Sequence, residues 1–287
     1  MSYNTFIAID WSGAKGFSHE GIQVAICHLG KKQPEIIKNK YSNYWSRIDL
    51  LEWLKINILK TETLVGMDFA FSLPYLDFDN YFPDSNYNLK KPGQIWDLVH
   101  LICEESEDFY TGKFISHKIW REYFRTIKYK GTLFDERYRL TDIICKNHSL
   151  GNPSSIFNLI GPKQVGLASL SGMILLKKIK EFSSKVGIWP FDIKFNSTIV
   201  EIFPRLFISR AFGGNRKINN NSDLKKILEF YGSNFNKTYT LQNDHQADAI
   251  LSSAAMRNYV LLYKNWEVEI NKNLFKNEGA MFGLMYK

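Results

Sequence analysis

The chain has 287 residues, 45% of them hydrophobic and 15% aromatic, which suits one large domain with a sizeable core and excludes a disordered or fibrous protein. Its formal charge of +8 permits a polyanionic partner without demanding one. Three cysteines (Cys27, Cys103 and Cys145) lack CxxC or Cys/His spacing, so they read as free thiols in a reducing compartment rather than a zinc site. No apolar run approaches the ~18 residues of a spanning helix. The first residues also lack the pattern of a secretory signal, so a cytoplasmic protein with no membrane association is expected.

In chain order, Thr5–Gly16 (TFIAIDWSGAKG) is an apolar strand that ends in a carboxylate, Asp10, and runs into a small-residue turn. Ser12-Gly13 and Gly16 let the chain reverse, and Ser12 either forms that turn or touches a phosphate. Gly21–Leu29 and Glu35–Tyr41 complete an antiparallel meander. Trp45–Leu59 places Ile48, Leu51, Leu54, Ile58 and Leu59 at helical spacing. Leu64–Phe71 (LVGMDFAF) is another buried strand carrying a carboxylate, Asp68, and Pro74 stops it.

From Tyr75 to about Ser155 the chain is rich in Asp, Asn, Pro and aromatics, and reads as a mostly helical insertion that leaves the main sheet and returns. Its most regular part predicts a helix over Ile115–Lys130. One face there is Ile119, Trp120, Tyr123, Phe124 and Ile127; the other is Lys118, Arg121, Arg125 and Lys128. Between Thr111 and Leu150 there are nine Lys or Arg against four Asp or Glu, so the basic face is either a nucleic-acid contact or a solvated surface.

Gly161–Phe182 predicts a helix, Ser197–Phe203 (STIVEIF) a strand holding Glu201, Leu224–Tyr231 a short helix, and Asn243–Leu262 the last long helix. The tail from Asn265 is only loosely readable. The sum is an α/β fold: a mixed five-stranded sheet, made of a three-strand meander plus two further strands, flanked by helices. A single domain over 1–287 with an insertion at about 75–155 is expected.

Three strands therefore end in an acid: Asp10, Asp68 and Glu201. The last helix adds Asp244 and Asp248, four apart and on the face shared with Leu251 and Ala255. An acid on a packing stripe is unfavourable unless neutralised or bound to a metal, and several converging carboxylates suit a pair of Mg²⁺ or Mn²⁺ ions. Each acid has an ordinary alternative. Asp10 and Asp68 could cap their turns, Glu201 could pair with Arg205, and Asp244 could be the helix N-cap. His245, beside the last two, reads as packing or hydrogen bonding.

The order of elements and acids resembles the RNase H-like fold, and the residues resemble the family of predicted RNase H-like nucleases known as domain of unknown function 429. The matching pieces are IAIDWSG (Ile7–Gly13), GMDFAFSLP (Gly66–Pro74), VEIFPRL (Val200–Leu206), DHQADAILSSAAM (Asp244–Met256) and EGAMFG (Glu278–Gly283). The DHxxDA start of the last helix is also similar to RuvC-type resolvases. The resemblance implies metal ligands at Asp10, Asp68, Glu201 and Asp248, with Asp244 a further candidate. It implies Mg²⁺ or Mn²⁺ as cofactor and DNA or RNA as partner. The function expected is metal-dependent phosphodiester hydrolysis, with Asp10, Asp68, Glu201 and Asp248 catalytic. The competing readings are an inactive binding platform on the same fold and an actin-like phosphotransferase or ATPase.

Overall fold

A strand covered on both faces must be apolar throughout, and β1 (Thr5–Asp10) is buried along its whole length. In the computed structural model, which describes residues 3–161, 165–193, 195–214, 216–266 and 272–284, β1 lies near the middle of the sheet. Antiparallel partners β2 (Gln23–His28) and β3 (Glu35–Ile37) lie on one side. α1 (Arg47–Asn57) crosses to β4 (Thr63–Met67), which pairs parallel with β1 on the other side. Next come β6 (Ser197–Glu201) and then β5 (Val186–Ile188), both parallel, giving the order β3-β2-β1-β4-β6-β5.

The sheet thus has six strands, one more than expected. The extra strand is the three-residue edge piece Val186-Gly187-Ile188, too short to carry a periodic signal. β3 also ends at Ile37, short of the expected Tyr41.

Side chains alternate across β1 and divide the core in two. Ile7 and Ile9 face a layer made by α1, α5 (Gly166–Phe182) and part of the chain between β4 and α5. Phe6 and Ala8 face a layer made by α6 (Pro204–Phe212), α7 (Asn221–Phe230) and α8 (Asp244–Leu262). α8 approaches β4 closely at Gly66, where an added Cβ would lie 2.5 Å from Met256 Sδ. The three cysteines are buried free thiols. Among the described residues no helix is long and apolar enough to cross a membrane.

The segment between β4 and α5 contains α2 (Pro92–Cys103), α3 (Gly112–Ser116) and α4 (Leu140–Asn147), separated by 3₁₀ turns and irregular chain. The helix expected over Ile115–Lys130 does not form. Phe114, Trp120, Tyr123, Phe124 and Phe157 instead gather around Phe82, and Ile127 is 81% exposed. The backbone of Arg125 is taken up by the chain at Phe157–Leu159: its N–H donates to Phe157 O and its carbonyl accepts from Leu159 N–H. Those extended pairings replace the helical ones. α9 (Lys272–Phe275) closes the described chain, followed by a strap in which Phe282 N–H donates to Glu201 O. Pro162–Gln164 and part of the expected tail lie outside the described residues.

Candidate active site

Asp10 has the same parity as Phe6 and Ala8, so its side chain leaves β1 on the α8 side. Asp68 follows β4 directly, and its N–H still donates to Ile9 O at 3.0 Å, extending the parallel ladder one residue beside Asp10. Asp248 sits one turn inside α8, on the stripe of Leu251 and Ala255 that packs against the sheet. Two parallel strand ends and one helix thus bring three acids together.

The three carboxyls feel one another unequally. Burial pushes Asp68 well above the usual carboxylate range, and Asp10, Asp248 and Glu201 push it further. Burial, then the charge of Asp10, lifts Asp248 to about 8, while Arg205 opposes the shift. Asp10 is raised by burial and held back mainly by a hydrogen bond to His245. In the chain alone, protons and one imidazole do the neutralising.

His245 takes the hydrogen-bonding role read for it in the sequence, with Asp10 as its partner. Its Nδ1 lies 2.7 Å from Asp10 Oδ2, and that contact raises the imidazole to about 9. Asp244 stands beside this group, its charge bearing on Asp10 and on Asp248. The N-cap of α8 is Asn243, whose side chain accepts from Gln246 N–H, and Asp244 instead pairs with Lys217.

Glu201 is placed differently from the other acids. Arg139 grips both of its oxygens, Nη1 to Oε2 at 2.7 Å and Nη2 to Oε1 at 2.6 Å, and Phe71 N–H adds a third donor at 3.1 Å. The pairing with Arg205, the ordinary alternative for this acid, is replaced by one with Arg139. Arg139 stands before α4 and is itself held by Asp142, which accepts from Arg139 Nε and Nη2. Glu201 therefore ties the segment between β4 and α5 to the sheet, and its lone pairs are largely committed. Nearby, Glu278 accepts from the N–H groups of Tyr75, Leu76 and Leu140, so the EGAMFG strap pins the same junction.

The turn after Asp10 is braced from outside. Arg47 is fully buried, and its guanidinium donates to Ser12 O and Ala14 O at 2.9 and 2.6 Å. Asp108 accepts from Arg47 N–H and Ile48 N–H, capping α1, and also contacts His19. Ser12 Oγ accepts from Ala14 N–H, the turn-forming role. Trp11 Nε1 donates to Ala168 O at 3.0 Å, and a Cβ on Gly13 would lie 2.2 Å from Ala168 N, so β1 and the start of α5 are locked together.

A cleft of about 510 Å³ opens over Asp68, Asp248 and Glu201. Arg205, Arg216 and Lys217 line it, together with the first turns of α5 and α6, whose positive ends favour anions. Arg216 pairs with Asp223 and Lys217 with Asp244, whereas Arg205 donates only to a backbone carbonyl, that of Arg216. Among the described residues Arg205 makes no ion pair. Lys118, Arg121, Arg125 and Lys128 are all exposed but do not share one helix face and do not line this cleft. Arg121 is further engaged by Glu122 and the Tyr129 ring.

Hard carboxylate oxygens are the donor type that Mg²⁺ and Mn²⁺ prefer, so Asp10, Asp68 and Asp248 fit such an ion by chemistry. They are not drawn into a closed cage. Among the described residues no group of three or more His, Cys, Asp or Glu side chains stands at metal-holding spacing. Comparison with protein-family profiles, curated proteins and solved structures finds no match to this chain. The reading of the site therefore rests on its own residues.

Proposed function

We propose that this chain is a Mg²⁺- or Mn²⁺-dependent phosphodiesterase of the RNase H-like type that acts on nucleic acid. The observation that carries the reading is that Asp10 and Asp68 leave the ends of adjacent parallel strands beside Asp248 on the sheet-facing stripe of α8, where Asp10 and Asp248 act on Asp68 and Asp10 acts on Asp248. Nothing about folding calls for three acids grouped at these strand and helix ends. The sheet supports the reading: an antiparallel meander followed by strands parallel to β1, with acids leaving the ends of β1 and β4, is the order the family resemblance implies.

In this reading Asp10, Asp68 and Asp248 are the residues that would hold the metal. Such an ion would supply an activated water at neutral pH and neutralise charge on the leaving oxygen. Arg205 grips a substrate phosphate, since it lines the cleft and makes no ion pair among the described residues. His245 orients Asp10 through Nδ1 and opposes the rise that burial imposes on it. Glu201 acts mainly by fixing Arg139 and the cleft wall, with a reduced share in ligating metal. The exposed cations at Lys118, Arg121, Arg125 and Lys128 lie apart and serve at most as outlying contacts to a longer strand.

The test is hydrolysis of DNA and RNA oligonucleotides by the protein and by Asp10→Asn, with Mg²⁺, Mn²⁺ or EDTA. Cleavage that needs metal and is lost in the variant supports the proposal. Nucleic-acid binding without cleavage under every metal condition would favour the binding platform instead.

A further inference from the structure

The size and walls of the cleft bear on which nucleic acid reaches the acids. At about 510 Å³ it lies in the roughly 300–1,000 Å³ range of small-molecule sites, room for one or two nucleotide units. One wall is Trp11 and the start of α5, and a second is Phe203 and the start of α6. The third is Asn152–Ser154 and Ile156, contributed by the segment between β4 and α5.

That third wall is built into the fold. Gly151 packs so tightly on Phe203 that an added Cβ would lie 2.6 Å from its ring. Ser155, Ile156 and Phe157 are buried, and Phe157 stacks obliquely on Phe124 at 5.4 Å. Leu150 N–H donates to Cys145 O, anchoring the other end of the wall on α4. The segment therefore stands beside the acids as a fixed barrier.

A paired duplex keeps each phosphodiester on the outside of a cylinder, flanked by grooves about 12 and 6 Å wide and by the opposite strand. Such a body cannot bring its phosphodiester to acids lining a walled cleft of this volume. An unpaired nucleotide can. Its phosphate meets Arg205 and the first turns of α5 and α6, and its base and sugar meet the apolar surface of Trp11, Phe69, Phe203 and Ile156.

Resting on the phosphodiesterase reading above, we infer that the substrate is a nucleotide phosphodiester presented without a paired strand, as single-stranded DNA or RNA or as a small nucleotide diester. The walls, rather than base-specific contacts, set that preference. A paired nucleotide must first be unstacked and unpaired, which penalises duplex by about a hundredfold or more.

The experiment compares three substrates with Mn²⁺: a linear single-stranded oligonucleotide, the same strand annealed to its complement, and the p-nitrophenyl ester of thymidine monophosphate. A single strand cut about a hundredfold faster than the duplex interior supports the inference. The oligonucleotide and the small ester then separate the two sources of the unpaired diester. Duplex interior cut at a rate comparable to single strand overturns it while leaving the phosphodiesterase reading intact. If neither the small ester nor the oligonucleotide is hydrolysed, the phosphodiesterase reading itself fails and the inference falls with it.

A second variant tests the cleft directly. Ser154→Trp places bulk in the third wall and should lower kcat/KM on the oligonucleotide by at least about tenfold while leaving the Mn²⁺-induced thermal shift in place. Unchanged turnover in that variant would remove the cleft as the substrate site.

Discussion

His245 Nδ1 lies 2.7 Å from Asp10 Oδ2, so an imidazole from the first turn of α8 neutralises the buried carboxylate at the end of β1. The contact raises His245 to about 9 from the usual 6.5, which means the folded protein holds that proton more tightly than the unfolded chain. The resulting stabilisation is complete below about 6.5 and is lost as pH climbs through about 9. Because the His245 side chain is 46% exposed, solvent screening reduces it to about 1 kcal/mol. His245→Ala should therefore be less stable than the parent by that amount at pH 6, with the gap closing by pH 10. Urea denaturation at the two pH values measures it, and an equal gap at both would contradict the ion pair.

Arg139 carries a larger share of stability, because both it and Glu201 are almost wholly buried. Replacing Arg139 with Met strands Glu201 and Asp142 without their cation, at a cost of about 3–5 kcal/mol. Arg139→Lys should recover little of this. A single ammonium cannot make the two parallel bonds to Glu201 while also reaching both oxygens of Asp142. Denaturant midpoints of the two variants check the ranking. A lysine variant as stable as the parent would show that charge alone is needed.

The cores of β1, β4 and β6 were legible because strands buried on both faces leave continuous apolar runs, and the acids at their ends stand out against them. The facing stripe of α8 was legible for the same reason, through Asp248, Leu251 and Ala255. Arg139 left no such trace. It meets Glu201 across 62 residues, and only tertiary folding brings them together. The helix expected at Ile115–Lys130 was misread because Trp120, Tyr123 and Phe124 mimic helical periodicity while serving one aromatic cluster around Phe82. Asn243 and Asp244 are both good caps. The backbone of Asn243 (φ −157°, ψ 174°) decides between them, and only coordinates show that.

Asp68 is the acid under the greatest electrostatic pressure, pressed by burial and by Asp10, Asp248 and Glu201. Asp68→Asn keeps the shape and removes the charge. In EDTA the variant should be more stable than the parent by about 1 kcal/mol, the pattern of a site kept for function at the expense of stability. The same change should lower metal-dependent hydrolysis by about a hundredfold or more, because one ligand is lost. Thermal melts in EDTA and initial rates with Mg²⁺ give the two readouts. A variant destabilised in EDTA would show that Asp68 serves the fold.

The gain in stability from a divalent cation should itself depend on pH, with a sign that follows from Asp248. Burial and Asp10 hold its folded pKa at about 8, against the usual 3.8. The proton is thus bound more tightly in the folded protein, and its contribution to stability is complete below about 4 and lost as pH rises through about 8. Asp68 and Asp10 are raised in the same direction, so they add to that loss. A divalent cation competes with those protons and binds only as they leave. Saturating Mg²⁺ should therefore shift Tm little at pH 5 and by several degrees at pH 8, where a ligand at 100 times its Kd is worth about 2.7 kcal/mol. Differential scanning fluorimetry across pH, with Asp10→Asn as control, measures the effect. The control should show a flat response. A parent protein whose Mg²⁺ shift is the same at pH 5 and pH 8, or equal to that of the control, would mean that protons and metal do not share these carboxylates.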